Sequence, residues 1–377
     1  MRQRVILNCV TVLGAVFFSF ATAAGPAIDA SKAKADKDGV TLWHDIRLLG
    51  VEGQGWSDVK APFDRLPAKS EKVVRRAVWS LSRHSAGMAV RFVTDATTIH
   101  ARWTLTSANL AMSHMAATGV SGLDLYVKSE DGQWRWLNVG RPTAQTNTQK
   151  MASGIPPGKR EYLLYLPLYN GVSSVEIGIP KTSSLEKAPA YPAARSKPIV
   201  FYGTSITHGA CASRPGMPHP SILGRRFQRP VINLGFSGNG KMDPELGILF
   251  GELDPAVYVL DCLPNMNAKE VAERAEPFVR ALRKARPDTP ILMVEDRTYS
   301  DAFLVKSKRD RNLTSRVEFL KAFEQLKKAG VKNLHYLKGD HLLGDDNEGT
   351  VDSSHPNDLG FMRQADAFAE SLAPLLK

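Results

Sequence analysis

Four short polar stretches in the second half of the chain gather the residue types that acyl transfer requires. They are Phe201-Tyr202-Gly203-Thr204-Ser205-Ile206-Thr207-His208-Gly209, Asn233-Leu234-Gly235-Phe236-Ser237-Gly238-Asn239-Gly240, Asp261-Cys262-Leu263-Pro264-Asn265-Met266-Asn267 and Asp352-Ser353-Ser354-His355-Pro356-Asn357. Covalent cleavage of an ester needs a hydroxyl nucleophile, a base for its proton, a carboxylate to orient the base, and donors aimed at the developing oxyanion. Ser205 is the candidate nucleophile and His355 the base. Asp352 stands three residues before His355, so one turn can bring its carboxylate to the far imidazole nitrogen and fix the tautomer. The Ser205 and Gly238 N–H groups and the Asn265 amide are the candidate oxyanion donors.

Other chemistry fits these stretches less well. Ser205 alone could be a helix N-cap, and it is the three partner stretches that favour a nucleophile. Ser237 is a rival, but Asn239 takes the last glycine position of a Gly-x-Ser-x-Gly elbow. Gly238-x-Gly240 with Asp261 about 20 residues on imitates a dinucleotide fingerprint. Asp243 and Pro244 stand where its third glycine belongs, and an acid there repels pyrophosphate from the helix start. Asp340, His341, Asp345, Asp346, Asp352 and His355 could bind a metal, yet no tight His or Cys pair supports zinc, and a serine mechanism uses none. No cofactor is expected.

The elements that must position these residues are of two kinds. From Thr41 to Ile179 apolar residues alternate in short runs, as in Ile99-His100-Ala101-Arg102-Trp103, between turns such as Asp131-Gly132 and Pro156-Pro157-Gly158. That pattern predicts an antiparallel β-sandwich, jelly-roll-like. After a Pro/Ala/Lys-rich connector come unbroken apolar runs at Pro198–Tyr202, Val231–Leu234, Val257–Leu260, Ile291–Val294 and Leu334–Leu337. Helical periods separate them: Val271, Ala275, Phe278 and Leu282, then Leu313, Val317, Leu320 and Phe323, with Gly330 as stop signal. The expectation is an α/β, flavodoxin-like doubly wound parallel sheet with its site at the strand C-termini. The division is a signal peptide over 1–23, a flexible leader over 24–40, a sandwich over 41–180, a linker over 181–197 and the α/β domain over 198–377.

The ordered set Gly-x-Ser, Asn-x-Gly-x-x-Gly, x-x-Asn and Asp-x-x-His resembles the GDSL-type SGNH hydrolases over roughly Lys197 to Lys377. Gly122-Leu123-Asp124-Leu125-Tyr126 is similar to the GxDLY signature of the β-sandwich module preceding such a domain in one secreted branch. The resemblance implies Ser205 as nucleophile, Gly238 and Asn265 as oxyanion donors, and Asp352 with His355 completing the triad. Two positions depart from the wider pattern: Thr204 replaces the Asp of Gly-Asp-Ser, and Leu263-Pro264-Asn265-Met266 replaces Gly-x-Asn-Asp.

Composition narrows the function. The chain has 377 residues, 43% of them hydrophobic, with 49 Lys and Arg against 38 Asp and Glu for a net +11. That excludes a largely disordered chain. Arg2 and Arg4, the apolar Val5–Phe20 and Ala21-Thr22-Ala23 form a cleavable secretory signal, too short for the roughly 20 apolar residues that span a bilayer. Its removal lowers the charge to about +9. The protein is therefore expected in the periplasm or outside the cell, without stable membrane insertion or a nucleic-acid partner. Of three cysteines, Cys211 and Cys262 remain after cleavage, and either a disulfide between them or two buried thiols fits an oxidising compartment. Trp134 and Trp136 share a strand face and read as core before sugar platform. His84 and His114 read as hydrogen-bonded structural histidines, and Arg297–Arg311 as a solvated loop or a lid. The function expected is a secreted serine esterase acting on short, acetyl-type esters of carbohydrates. A lipid or aryl esterase of the same mechanism and a non-catalytic carbohydrate-binding protein on a hydrolase scaffold are the alternatives.

Overall fold

The computed structural model describes residues 25–377, so the expected signal peptide lies outside the described residues. The first half folds as two antiparallel sheets. One runs β1 (Lys34–Ala35), β2 (Thr41–Asp45), β10 (Val172–Pro180), β5 (Thr98–Leu105), β8 (Thr146–Ser153) in spatial order. The other runs β11 (Leu185–Lys187), β4 (Ala89–Thr94), β9 (Arg160–Tyr165), β6 (Asp124–Lys128), β7 (Trp134–Val139), with β3 (Val51–Glu52) also paired to β4. Period-two alternation makes this arrangement: in β5, Ile99, Ala101, Trp103 and Leu105 point inward, where they join Leu123, Leu125, Tyr162 and Leu164 of the second sheet in one core. Two short helices, α1 (Arg76–Ser82) and α2 (Ala117–Val120), interrupt the strands.

The domain edges differ from those expected. The described part of the leader, 25–40, is laid along the sandwich: Gly25 N–H donates to Lys187 O at 3.0 Å, Ala27 bridges to Glu186, and β1 pairs with β2. Part of the connector belongs to the sandwich too, because β11 completes the sheet beside β4. β7 is an edge strand, so Trp136 is 48% exposed rather than core.

The second half is the expected doubly wound domain. β12 (Ile199–Gly203), β13 (Val231–Gly235), β14 (Val257–Asp261), β15 (Ile291–Val294) and β16 (Leu334–Leu337) are parallel in the order β13-β12-β14-β15-β16. This is the flavodoxin-like 2-1-3-4-5 arrangement, whose switch point lies beside the first strand. Both faces are buried, with Val200, Tyr202, Tyr258 and Leu260 on one side and Ile199, Phe201, Val257 and Val259 on the other. The helices are α3 (Ser205–His208), α4 (His219–Phe227), α5 (Pro244–Phe250), α6 (Ala268–Ala285), α7 (Lys306–Lys328) and α8 (Asp358–Leu372). α6 begins in a capping box between Asn267 and Glu270 and buries Val271, Ala275, Phe278 and Leu282 as its period requires.

α7 presents a different face from the one its apolar period predicts. Leu313, Val317 and Leu320 are exposed, whereas Asn312, Ser315, Phe319, Ala322, Phe323 and Leu326 are buried. Polar anchors decide the rotation. Asn312 Nδ2 donates to Asp296 Oδ2 and Arg297 O, both at 3.0 Å, and Ser315 Oγ donates to Met266 O at 3.2 Å. Turning the apolar stripe inward would strand these groups. The segment from Arg297 is not a solvated loop either: Arg297 is buried, and Lys306 onward is helical.

The domains are locked together by groups that fall between their hydrophobic cores. Arg65, 1% exposed, donates Nε to His84 O at 2.9 Å and Nη2 to Leu81 O at 2.7 Å. Its Nη1 reaches Asn233 O at 3.0 Å and Gly235 O at 2.8 Å, at the end of β13. Burial pushes the guanidinium down to about 9, and four carbonyls accept from its donors. Asp124, inside the GxDLY segment, accepts from Trp136 Nε1 at 2.8 Å, Arg214 Nη1 at 3.0 Å and Gly216 N at 2.8 Å. Burial raises its pKa, and Arg214 opposes the rise. Replacing Arg65 by Met should therefore cost about 3 kcal/mol, since buried carbonyls lose their donors. Urea unfolding measures this, and a loss under about 1 kcal/mol would contradict the role assigned to Arg65.

Candidate active site

β12 ends in Gly203, and the chain turns directly into α3. Thr204 caps that helix, its Oγ1 accepting from Ile206 N at 3.3 Å. A Thr and an Asp can both cap, which accounts for the departure from Gly-Asp-Ser in local terms. Ser205 is thereby the first helical residue. Its Oγ lies 2.8 Å from His355 Nε2, across 150 residues of sequence.

The His355 loop is organised by its own backbone. Asp352 Oδ1 accepts from His355 N at 2.8 Å and Ser354 N at 3.1 Å, while Oδ2 accepts from His355 Nδ1 at 2.7 Å. Val351 N donates to His355 O at 2.9 Å and closes the turn. Burial alone would raise the Asp352 pKa, but these donors outweigh it and hold the carboxyl below its ordinary value. With Nδ1–H directed at a carboxylate, Nε2 carries the lone pair and accepts from the Ser205 hydroxyl.

The strand order brings the candidate donors together, because β13 and β14 flank β12. The Ser205 amide belongs to the first turn of α3, where N–H groups have no intrahelical acceptor. Gly238 follows β13 at φ +67 in open space. Asn265 Oδ1 accepts from Gly240 N at 3.3 Å, which leaves its Nδ2 as the free end. Gly240 must be glycine, as a Cβ there would stand 2.1 Å from Gly203 O. Ser237, the rival, has no histidine hydrogen-bonded to it among the described residues, and the Nε2 of His355 is bonded to Ser205.

Beneath Ser205 lies a buried polar network. Arg297 forms a two-pronged pair with Asp261 at 2.6 and 2.7 Å, the two side chains being 2% and 0% exposed. Thr207 Oγ1 donates to Asp261 Oδ2 at 2.9 Å. Arg297 Nε donates to Gln364 Oε1 at 2.9 Å, and Gln364 Nε2 lies 2.9 Å from His219 Nδ1. Asp261 is thus committed to the interior and cannot meet a ribose.

Several expectations need correction. Cys211 and Cys262 are both free and buried. Cys262 packs into the α5/α6 side of the sheet core and lies 3.7 Å from Tyr202 O. Cys211 instead neighbours His114 and His355, so no bridge joins the two. The acidic stretch is already charge-matched: Asp346 pairs with Arg363, Asp340 with Arg316, and His341 with Asp345. His84 and His114 each bury an Nδ1 that has no hydrogen-bond partner among the described residues. Burial and nearby Arg65 push His84 down to about 4.

The sandwich contributes to the site, which no motif signalled. Tyr169 OH donates to Ser205 O at 3.2 Å, and its ring stacks on His208 at 4.1 Å. His114, from the segment between β5 and α2, meets His355 edge to face at 5.7 Å.

Residues 196–373 match the model of the GDSL-like lipase/acylhydrolase family, and 41–185 match that of the N-terminus of SGNH-hydrolase-type esterases. A Bacteroides ovatus protein assigned as a GDSL-like lipase is similar at 34% identity and TM-score 0.84, over 89% of this chain and 98% of its own. A salicylyl-acyltransferase of a tetracycline biosynthetic pathway superposes at TM-score 0.68 and 19% identity, over 91% and 97%. A family two carbohydrate esterase from Clostridium thermocellum, in complex with cellohexaose, does so at 0.56 and 15%, over 76% and 94%. The last two likenesses concern the fold alone. No curated protein matches the chain.

The thiol geometry has a direct check. Denatured, unreduced protein lacking residues 1–23 should titrate two thiols with a chromogenic disulfide reagent, and none if Cys211 and Cys262 were bridged.

Proposed function

Because the chain belongs to the GDSL-like lipase/acylhydrolase family, with the N-terminal module of SGNH-hydrolase-type esterases before it, we propose that it is a secreted or periplasmic serine esterase releasing short, acetyl-type acyl groups from carbohydrates. The carrying observation is the hydrogen-bonded chain Ser205–His355–Asp352, at 2.8 and 2.7 Å. Ser205 Oγ attacks the ester carbonyl carbon as His355 Nε2 takes the hydroxyl proton. The carbonyl π pair moves onto oxygen, where the Ser205 and Gly238 amides and Asn265 Nδ2 accept the charge. Collapse expels the alcohol, protonated by His355, and leaves an acyl-Ser205. Water, deprotonated by the same histidine, then releases the acid, while Asp352 stays ionised and stabilises the imidazolium.

Three features support a carbohydrate ester: the secretion signal expected from the sequence, the sandwich module, and the fold shared with a cellohexaose-bound carbohydrate esterase. Among the described residues no helix is long and apolar enough to cross a membrane. One observation favours a second reading, a lipid or aryl esterase. Phe303 and Leu304, 73% and 78% exposed, sit in the segment after β15 that docks on the triad loop through Ser300 N and Ser353 O at 3.0 Å.

The test is acetate release from acetylated glycans and from a chromogenic acetate. The wild type should act on both, with Ser205→Ala at background and Asp352→Asn reduced by about a thousand- to ten-thousand-fold in kcat. Higher kcat/KM on long-chain than on acetyl esters would replace the carbohydrate reading with the lipid one. Equal rates for wild type and Ser205→Ala would remove the enzyme reading and leave a glycan-binding protein.

A further inference from the structure

Two side chains from distant parts of the chain converge on the candidate base. One ligand atom each from His114, Cys211 and His355 lie within 4.8 Å of one another. His114 comes from the sandwich, Cys211 from the chain just after α3, and His355 from the loop before α8. The set is mixed sulfur and nitrogen, the donor type that zinc-like cations prefer. His114 Nδ1 is buried without a hydrogen-bond partner among the described residues, so a ring nitrogen is left over for which the fold supplies nothing.

We propose that His114, Cys211 and His355 form a binding site for a zinc-like divalent cation, whose occupation withdraws His355 from Ser205 and switches the hydrolase off. The second half rests on the role proposed for His355; the cation site itself does not. Zinc holds nitrogen at about 2.0–2.1 Å and thiolate sulfur at about 2.3 Å, which in a tetrahedron sets ligand atoms roughly 3.5 Å apart. Side-chain rotations of less than about 1 Å close the gap from the observed spacing. His355 is already prepared as a ligand: Asp352 takes its Nδ1–H at 2.7 Å, the carboxylate–histidine pairing that orients metal-bound imidazoles. Nε2 then gives its lone pair either to the Ser205 proton or to the cation, never to both. On binding, Cys211 releases one proton to solvent and becomes the thiolate ligand, and a fourth position stays open to water.

Two measurements test this on the full chain without its signal peptide. In Ser205→Ala, which keeps all three ligands and performs no hydrolysis, cobalt(II) titration should give a near-ultraviolet thiolate-to-metal band and release one proton per metal. Adding Cys211→Ser should abolish the band. In the active protein, zinc should inhibit release of a chromogenic acetate and a chelator should restore it. Cys211→Ser and His114→Phe, the latter keeping the ring edge against His355, should each raise the half-inhibitory zinc concentration at least tenfold. Absence of the cobalt band overturns the site. A band without inhibition overturns the switch while leaving the site, and unchanged inhibition in both variants places the inhibiting zinc elsewhere.

Discussion

The geometry of the site depends on a cation that never meets solvent. Arg65 belongs to the sandwich half, yet two of its four carbonyl partners, Asn233 and Gly235, are in β13, the strand that delivers Gly238. A guanidinium suits this position because its donors are fixed in a plane and can satisfy carbonyls from two domains at once. Its charge lies 5.1 Å from the Phe236 ring, one residue past the strand. Lys would offer only three donors from one nitrogen to four spread carbonyls, and an apolar residue would leave carbonyls unpaired at the seam. Tyr169 and Asp124 extend the seam on either side, so the sandwich functions as one wall of the hydrolase rather than as an appended module.

A second constraint holds the floor of the site. A buried ion pair such as Asp261–Arg297 gains little net stability, because desolvation of both charges offsets their attraction. Its value here is positional. Asp261 ends β14 and also accepts from Thr207, two residues beyond Ser205. Arg297 follows β15 and reaches α8 through Gln364, the helix whose N-terminal side carries the His355 loop. Through this one pair, the helix bearing Ser205 and the helix after His355 are referred to the same two strand ends.

Sequence and structure agree where information is local. The five unbroken apolar runs became the five parallel strands, and Asp352 with His355 could be read from a spacing of three because one turn joins them. The apolar period of α7 points to the wrong face because it assumes that the buried face is apolar. Here Asn312 and Ser315 face inward to satisfy Asp296 and Met266, and the apolar Leu313–Val317–Leu320 stripe points out. Arg65 looks like a surface residue in any window of sequence, since its partners are up to 170 residues away. His114 carries no motif, and only the docking of the two domains shows that it faces His355. The thiols likewise could not be separated without knowing that Cys262 turns into the sheet core while Cys211 stays with the histidines.

The local character of the Asp352–His355 turn bears on the order in which the molecule comes together. Its carboxylate, ring and closing backbone contact all lie within residues 351–355, so ordering it closes a very short loop at small entropic cost. The contact between His355 and Ser205 spans 150 residues and forms only when β12 and the chain terminus have docked, a non-local event that belongs late in folding. A chain in which this turn alone had formed would hold an acid–base pair with no hydroxyl beside it. On the proposed mechanism the site is complete only once the contact between His355 and Ser205, which joins the two ends of the α/β domain, has formed.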